Sequence, residues 1–115
     1  MGRQGEDLAV EFLTEEGYEI LERNWRFKHI EVDIIARDND QLVIVEVKSR
    51  SGNTWGEPST AVDIRKQRSL IFAAERYIFS RNIDLDVRFD IVSIIMDQGR
   101  TVLEHIKDAF RAIAK

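Results

Sequence analysis

The sequence predicts an α/β fold with element order α-β-β-β-α-β, a central mixed sheet flanked by helices. Three observations carry it. Apolar residues at helical spacing mark one segment near the start and a longer one past the middle. Between them lie short β-rich runs, and a further strand follows the second helix. The runs Ile30–Ile35 and Leu42–Lys48 are apolar on both faces, so their hairpin is expected to be central and covered on each side.

The first helix is expected over Gln4–Glu16, where Leu8, Ala9, Phe12 and Leu13 share a stripe and Gly17 stops it. Tyr18–Phe27 reads as a strand. The turn-forming Asp38-Asn39-Asp40 then joins the two central strands. Val32, Ile34 and Ala36 with Val43, Val45 and Val47 make one apolar face; Ile35, Leu42 and Ile44 add to the other. Ser51–Ser59 is a loop with two glycines and the single proline of the chain. A long helix follows over Thr60–Arg81, capped by Ser59 or Thr60. Asp86–Met96 is a strand, Asp97-Gln98-Gly99-Arg100 a turn, and Thr101–His105 a short strand. The tail from Ile106 is expected to be a short helix. There are no repeats and no low-complexity segments.

Composition narrows the class. A chain of 115 residues is expected to form one domain over 1–115, long enough to bury about two-thirds of its unfolded surface without staples. It has no cysteine, which excludes disulfides and thiolate zinc sites. No apolar run approaches a membrane span and the N-terminus lacks a signal-peptide core, so a cytoplasmic protein without a membrane partner is expected. The net charge of −4 opposes indiscriminate binding to duplex DNA. Acid concentrates in residues 1–21 and 29–47, whereas base gathers on the later helix and the tail, leaving room for a local basic surface. No Ser/His/Asp or Cys/His arrangement and no phosphate-cradling glycine loop is present, which argues against serine hydrolases and kinases.

The central hairpin holds charges that sheets rarely bury. If Asn39-Asp40 form the loop, Asp38 faces Gln41, Asp33 faces Glu46, and Glu31 faces Lys48. A three-residue loop would shift the register by one and need a bulge to restore it. Directly opposed residues have Cβ atoms roughly 4.5–5.5 Å apart, and like charges so placed are destabilising. Two carboxylates in an apolar hairpin need a compensating cation, and a divalent metal is the simplest. Lys48, two residues past Glu46, shares its face. The competing account is a structural salt-bridge cluster in which Lys48 neutralises the acids.

In order and spacing these residues resemble the PD-(D/E)XK nuclease superfamily, and more closely the YraN-like bacterial family of uncharacterised, predicted endonucleases. The similarity is carried by Gly5-Glu6-Asp7-Leu8-Ala9, Arg23-Asn24, Glu31-Val32-Asp33-Ile34-Ile35-Ala36, Val45-Glu46-Val47-Lys48-Ser49-Arg50, Trp55-Gly56, Lys66-Gln67 and Arg88-Phe89-Asp90-Ile91-Val92. It spans nearly the whole chain. His29-Ile30 precede Glu31 where the family commonly has glycine, and the proline of the superfamily's name is absent.

The resemblance implies a restriction-endonuclease-like core and a Mg²⁺-dependent endonuclease, with Mn²⁺ as a possible substitute. It implies Asp33, Glu46 and Glu6 as metal ligands, with Lys48 and Lys66 as further catalytic residues. Glu31 is expected to steady Lys48, and Gln67 to point back to the site from the long helix. Similarity to archaeal junction resolvases implies DNA, branched or junctional, and a homodimer. The alternative is a non-catalytic nucleic-acid-binding or regulatory module on a nuclease scaffold, which the net charge favours. Each residue also has a plainer role: Glu6 as an acid at a helix N-terminus, Lys66 as a stem covering apolar surface. Arg65, Arg68 and Arg76 are expected on a solvated or phosphate-contacting face. Trp55 can stack on an unpaired base or tuck against the domain. His29 and His105 fit turn or surface roles, and Arg88 with Asp90 a structural pair.

Overall fold

The computed structural model describes residues 2–51 and 62–112. Among these residues two helices and five strands follow in the order α1 (Gly2–Glu15), β1 (Glu19–Phe27), β2 (Ile30–Asp38), β3 (Gln41–Ser51), α2 (Ile64–Arg81), β4 (Asp86–Asp97) and β5 (Arg100–Phe110). The strands form one sheet in sequence order. β3 and β4 are parallel and every other neighbouring pair is antiparallel. A parallel pair needs a crossover, and α2 supplies it. This is the expected mixed sheet between helices, and the arrangement is that of a restriction-endonuclease-like core.

Local chemistry explains the boundaries. Gly17, at φ +97°, ends α1: its N–H reaches the Thr14 carbonyl and the Tyr18 N–H that of Leu13. The β2–β3 loop is Asn39-Asp40, with Asn39 at φ +58°, a conformation asparagine tolerates. Gln98 and Gly99 both take positive φ between Asp97 and Arg100, as a type I′ turn requires. α2 begins later than expected. Asp63 caps it by accepting the Lys66 N–H at 2.9 Å, while Ser59 and Thr60 lie outside the described residues.

Two cores cover the sheet. On the α1 side Ala9, Leu13 and Tyr18 bury against Ile34, Ala36, Val43, Val45, Val92 and Ile94. On the α2 side Leu70, Ala73, Ala74 and Tyr77 bury against Val32, Ile35, Leu42, Ile44 and Phe89. Val32 therefore belongs to the face opposite the one expected. The strand alternation breaks between it and Ile34.

The tail is a strand, not the expected helix. β4 would otherwise expose an unpaired edge, and the tail buries apolar groups along it: Ile106 pairs with Ile91, and Phe110 stacks on Phe89 at 4.9 Å. The ladder shifts register between Phe89 and Ile91, with Asp108 at φ +55° in the bulge. That bulge turns the Asp108 N–H onto Asp90 at 3.0 Å. The Asp90 side chain is fully buried and also accepts from Arg88 Nε and Nη2, both at 2.9 Å, with His105 Nε2 at 2.8 Å. Arg88 reaches on to Asp38, Gln41 and the Tyr18 hydroxyl. The expected Arg88–Asp90 pair is thus one part of a larger buried network. His105, expected at the surface, belongs to it.

Burial alone would raise the Asp90 pKa, but the bonds from His105, Arg88 and Asp108 outweigh it and hold the carboxyl below its ordinary 3.8. Its contribution is therefore in place above that pH and lost on acidification. Asp90→Ala leaves Arg88 with Asp38 as its one acidic partner, takes the acceptor from His105 and the Asp108 N–H, and should cost about 3–5 kcal/mol in chemical denaturation at neutral pH. A loss under about 1 kcal/mol would show that the network does not hold β5 to the sheet.

Candidate functional site

The site begins where the sheet splits. β2 and β3 pair from Asp38↔Gln41 to Ile34↔Val45, the register expected from a two-residue loop, and the ladder ends there. Beyond it β3 stays with β4 as far as Ser51↔Met96, while β2 stays with β1 as far as Phe27↔Ile30. Asp33 and Glu46 are the first residues past the last pair. Asp33 Oδ2 accepts the Val47 N–H at 2.8 Å, so a carboxylate replaces a backbone acceptor at the fork. Across from Asp33 on β1, Asn24 takes φ +52°, and its side chain donates to Glu6 Oε1 at 3.0 Å. The break in alternation between Val32 and Ile34 centres on Asp33 and aims its side chain into the gap.

Glu46 enters from β3. Ile44 faces the α2 core, so the two-residue period carries Glu46 and Lys48 to that side. From α2, Lys66 brings Nζ to 3.8 Å from Glu46 Oε2. Glu46 Oε1 is buried and has no hydrogen-bond partner. Burial raises the Glu46 pKa most and the neighbouring Asp33 raises it further. Lys66 and Lys48 oppose this but leave it pushed up to about 7. Asp33 is also raised, mainly by burial, with the Val47 N–H and Lys66 opposing and Glu6 and Glu31 adding repulsion.

The α1 side forms the other wall. A Cβ on Gly5 would lie 2.6 Å from Ser49 Oγ and 2.8 Å from its Cβ, so only glycine lets the start of α1 approach β3 this closely. The next residue, Glu6, is buried, and its Oε1 also accepts Arg23 Nη2 at 2.8 Å. Glu6, Asn24, Glu31, Asp33, Val47 and Ser49 border a cleft of about 650 Å³.

The sequence expectations divide accordingly. The structure brings Asp33, Glu46 and Lys66 together, with Lys48 close enough to lower the Glu46 pKa and Glu6 on the facing wall. It does not place Glu31 opposite Lys48, because the ladder has already ended. Glu31 instead meets Arg26 on β1 at 3.6 Å. Nor does Gln67 point back to the site: in the first turn of α2, its side chain donates to the Val62 carbonyl at 2.8 Å. His29 is exposed in the β1–β2 turn, as expected, and Trp55 lies outside the described residues. Asn24 and Arg23, which set Glu6, were visible in the sequence only as a motif. An asparagine interrupting a strand was the available signal for the positive φ.

Among the described residues no three carboxylates or imidazoles form a ready-made cage. What they offer is a half-buried carboxylate pair with one buried oxygen unpartnered. That donor set fits a hard cation such as Mg²⁺, which takes one or two carboxylates and keeps several waters. No helix among them is long and apolar enough to cross a membrane.

Fold and site together define a class: a restriction-endonuclease-like α/β core with paired acids where its sheet forks. The chain belongs to the uncharacterised protein family UPF0102, whose model matches residues 5–94. It is 46% identical over 110 residues to a UPF0102 protein of Flavobacterium psychrophilum, covering 96% of this chain and 92% of that one. It is 47% identical over 116 residues to one of Chlorobium chlorochromatii, covering 96% and 90%. The UPF0102 protein of Persephonella marina is 46% identical over 110 residues, with 95% and 91% covered.

The raised Glu46 pKa has a measurable sign. Between the ordinary 4.5 and about 7 the folded protein keeps a proton that the unfolded chain releases, so stability falls as pH rises through that window. The loss attributable to Glu46 is on the order of 3 kcal/mol, at 1.36 kcal/mol per pKa unit. Denaturation profiles in chelator should show this slope in the parent and not in Glu46→Gln, which becomes the more stable of the two at pH 8. Parallel profiles would contradict the assigned burial.

Proposed function

We propose that this protein is a divalent-metal-dependent endonuclease hydrolysing phosphodiester bonds in DNA. The observation that supports this most is the buried, unpartnered Glu46 Oε1 beside a second, half-buried carboxylate, with Lys66 and Lys48 at hand. An acid whose pKa is raised by burial and by a second acid beside it is costly to fold, and structure alone gives no reason for it.

Asp33 and Glu46 would hold the ion. When bound, Mg²⁺, or Mn²⁺ in its place, supplies positive charge opposite the phosphate oxygens and acidifies a bound water. The protein's own groups do the rest. The Val47 N–H fixes Asp33 at the fork and favours its ionised form. Lys66 draws Glu46 towards its charged state. Lys48, on the same face as Glu46, orients the attacking water or meets the charge building on the phosphate. Glu6, held by Arg23 and Asn24, adds negative charge to the wall facing Asp33 and sharpens the demand for a cation. A preference for branched DNA, a homodimer presenting two sites, and a cytoplasmic setting complete the reading by analogy of fold.

The net charge of −4 favours a second reading, a nucleic-acid-binding module without turnover. One screen separates the two: duplex, single-stranded, flapped and four-way DNA, each with Mg²⁺ and with Mn²⁺. The nuclease reading expects cutting of at least one substrate. Glu46→Ala and Lys48→Ala should then fold normally and lower the rate by about 100-fold or more. Variants as active as the parent would defeat the assigned roles, and binding without cutting would support the second reading.

A further inference from the structure

We propose that the outer face of α2 is a track for an unpaired nucleic-acid strand leading away from the site. The proposal rests on the nuclease reading above and adds a substrate feature to it. α2 buries Leu70, Ala73, Ala74 and Tyr77. On the opposite side Arg65, Arg68, Phe72, Arg76 and Phe79 recur at three- and four-residue intervals, so they form one stripe. Phe72 is 44% exposed and Phe79 76% exposed, unusual for rings of this size.

Cations and rings are interleaved there. The Arg76 guanidinium lies 5.0 Å from the Phe79 ring centroid and 5.9 Å from that of Phe27. Phe27 in turn packs edge-on to Phe72 at 5.8 Å. Lys28 extends the charge beside Phe27 at 5.7 Å. α2 carries Arg65, Lys66, Arg68, Arg76 and Arg81 against the single acid Glu75, in a chain whose net charge is −4. An anionic partner is selected by that contrast. The alternation of flat apolar faces with guanidinium groups selects one that offers flat rings and phosphates in turn. Duplex DNA stacks its bases inward and would leave the rings unused; an unpaired strand would not.

Position supports the same occupant. Lys66, on the same helix, touches Glu46, so the stripe starts within one turn of the site. At 1.5 Å per residue it runs about 20 Å from there to Phe79, enough for a strand of a few nucleotides.

The test is binding by the full chain in EDTA, at low salt, so that cutting does not intervene. Fluorescence anisotropy compares a duplex with an unpaired tail, the same duplex blunt-ended, and a polyglutamate peptide. The parent should prefer the tailed duplex. The double variant Phe72→Ala/Phe79→Ala should weaken that binding by about tenfold or more, given the usual worth of a base–aromatic stack, and leave the blunt duplex within about twofold. Phe79→Trp should retain the preference.

Equal affinity for tailed and blunt DNA would overturn the proposal, as would an unchanged double variant or binding of polyglutamate alone. A parent dimer that falls apart when the rings are removed, with binding lost only through dissociation, would assign the face to self-association instead. Failure of the track alone is recognisable: the parent cuts DNA and Glu46→Ala does not, while the ring variant binds the tail normally. If DNA is neither bound nor cut, the nuclease reading fails and the track with it.

Discussion

Everything distinctive in this fold follows from one constraint: the ladder between β2 and β3 stops at Ile34↔Val45 and does not resume. A sheet that kept its pairing would seat Asp33 and Glu46 as an ordinary cross-strand pair of like charges. By parting there, the strands let Asp33 bond the Val47 N–H and let Glu46 turn towards α2, with Asp33 still near enough to raise the Glu46 pKa. The surrounding pieces accommodate that opening. Asn24 takes up the kink on β1 at φ +52°, and Gly5 lets α1 close over β3 with Glu6 beside the gap.

The two faces of the sheet show opposite uses of buried charge. Level with Val45 on β3, Asp90 is surrounded by donors from Arg88, His105 and Asp108, and its pKa falls although burial pushes it upward. At the fork, Glu46 is half-buried with an acid as neighbour, one lysine at 3.8 Å and one buried oxygen without a partner. The same side-chain chemistry is satisfied in one place and left wanting in the other. Stability explains the first arrangement. The second is the arrangement that the proposed hard cation would complete.

The sequence disclosed the elements and the register of the hairpin because both rest on local rules. Asn39-Asp40 makes a two-residue loop, and the apolar runs of β2 and β3 mark central strands covered on both sides. The Schellman end of α1 was legible in Gly17 for the same reason. What stayed hidden was long-range. Nothing near Val32 announces that it joins the opposite core, since the cause is Asp33 bonding Val47 fourteen residues away. The same opening cost Glu31 its place across from Lys48. Gln67 lies on the expected helix, but its reach depends on where that helix starts, and the Asp63 cap turned it to Val62. His105 looked isolated because its partner, Asp90, lies on another strand. The tail's alanines suited a helix until the open edge of β4 supplied a reason for a strand.

The central claim is that the carboxylates at the fork form a cation site, and paramagnetic NMR with Mn²⁺ tests it without relying on activity. The account predicts saturable broadening of backbone amides centred on Asp33, Glu46 and Val47, lost in Asp33→Asn. Broadening centred on the acidic turn at Asp38–Asp40, or unchanged by that substitution, would contradict it.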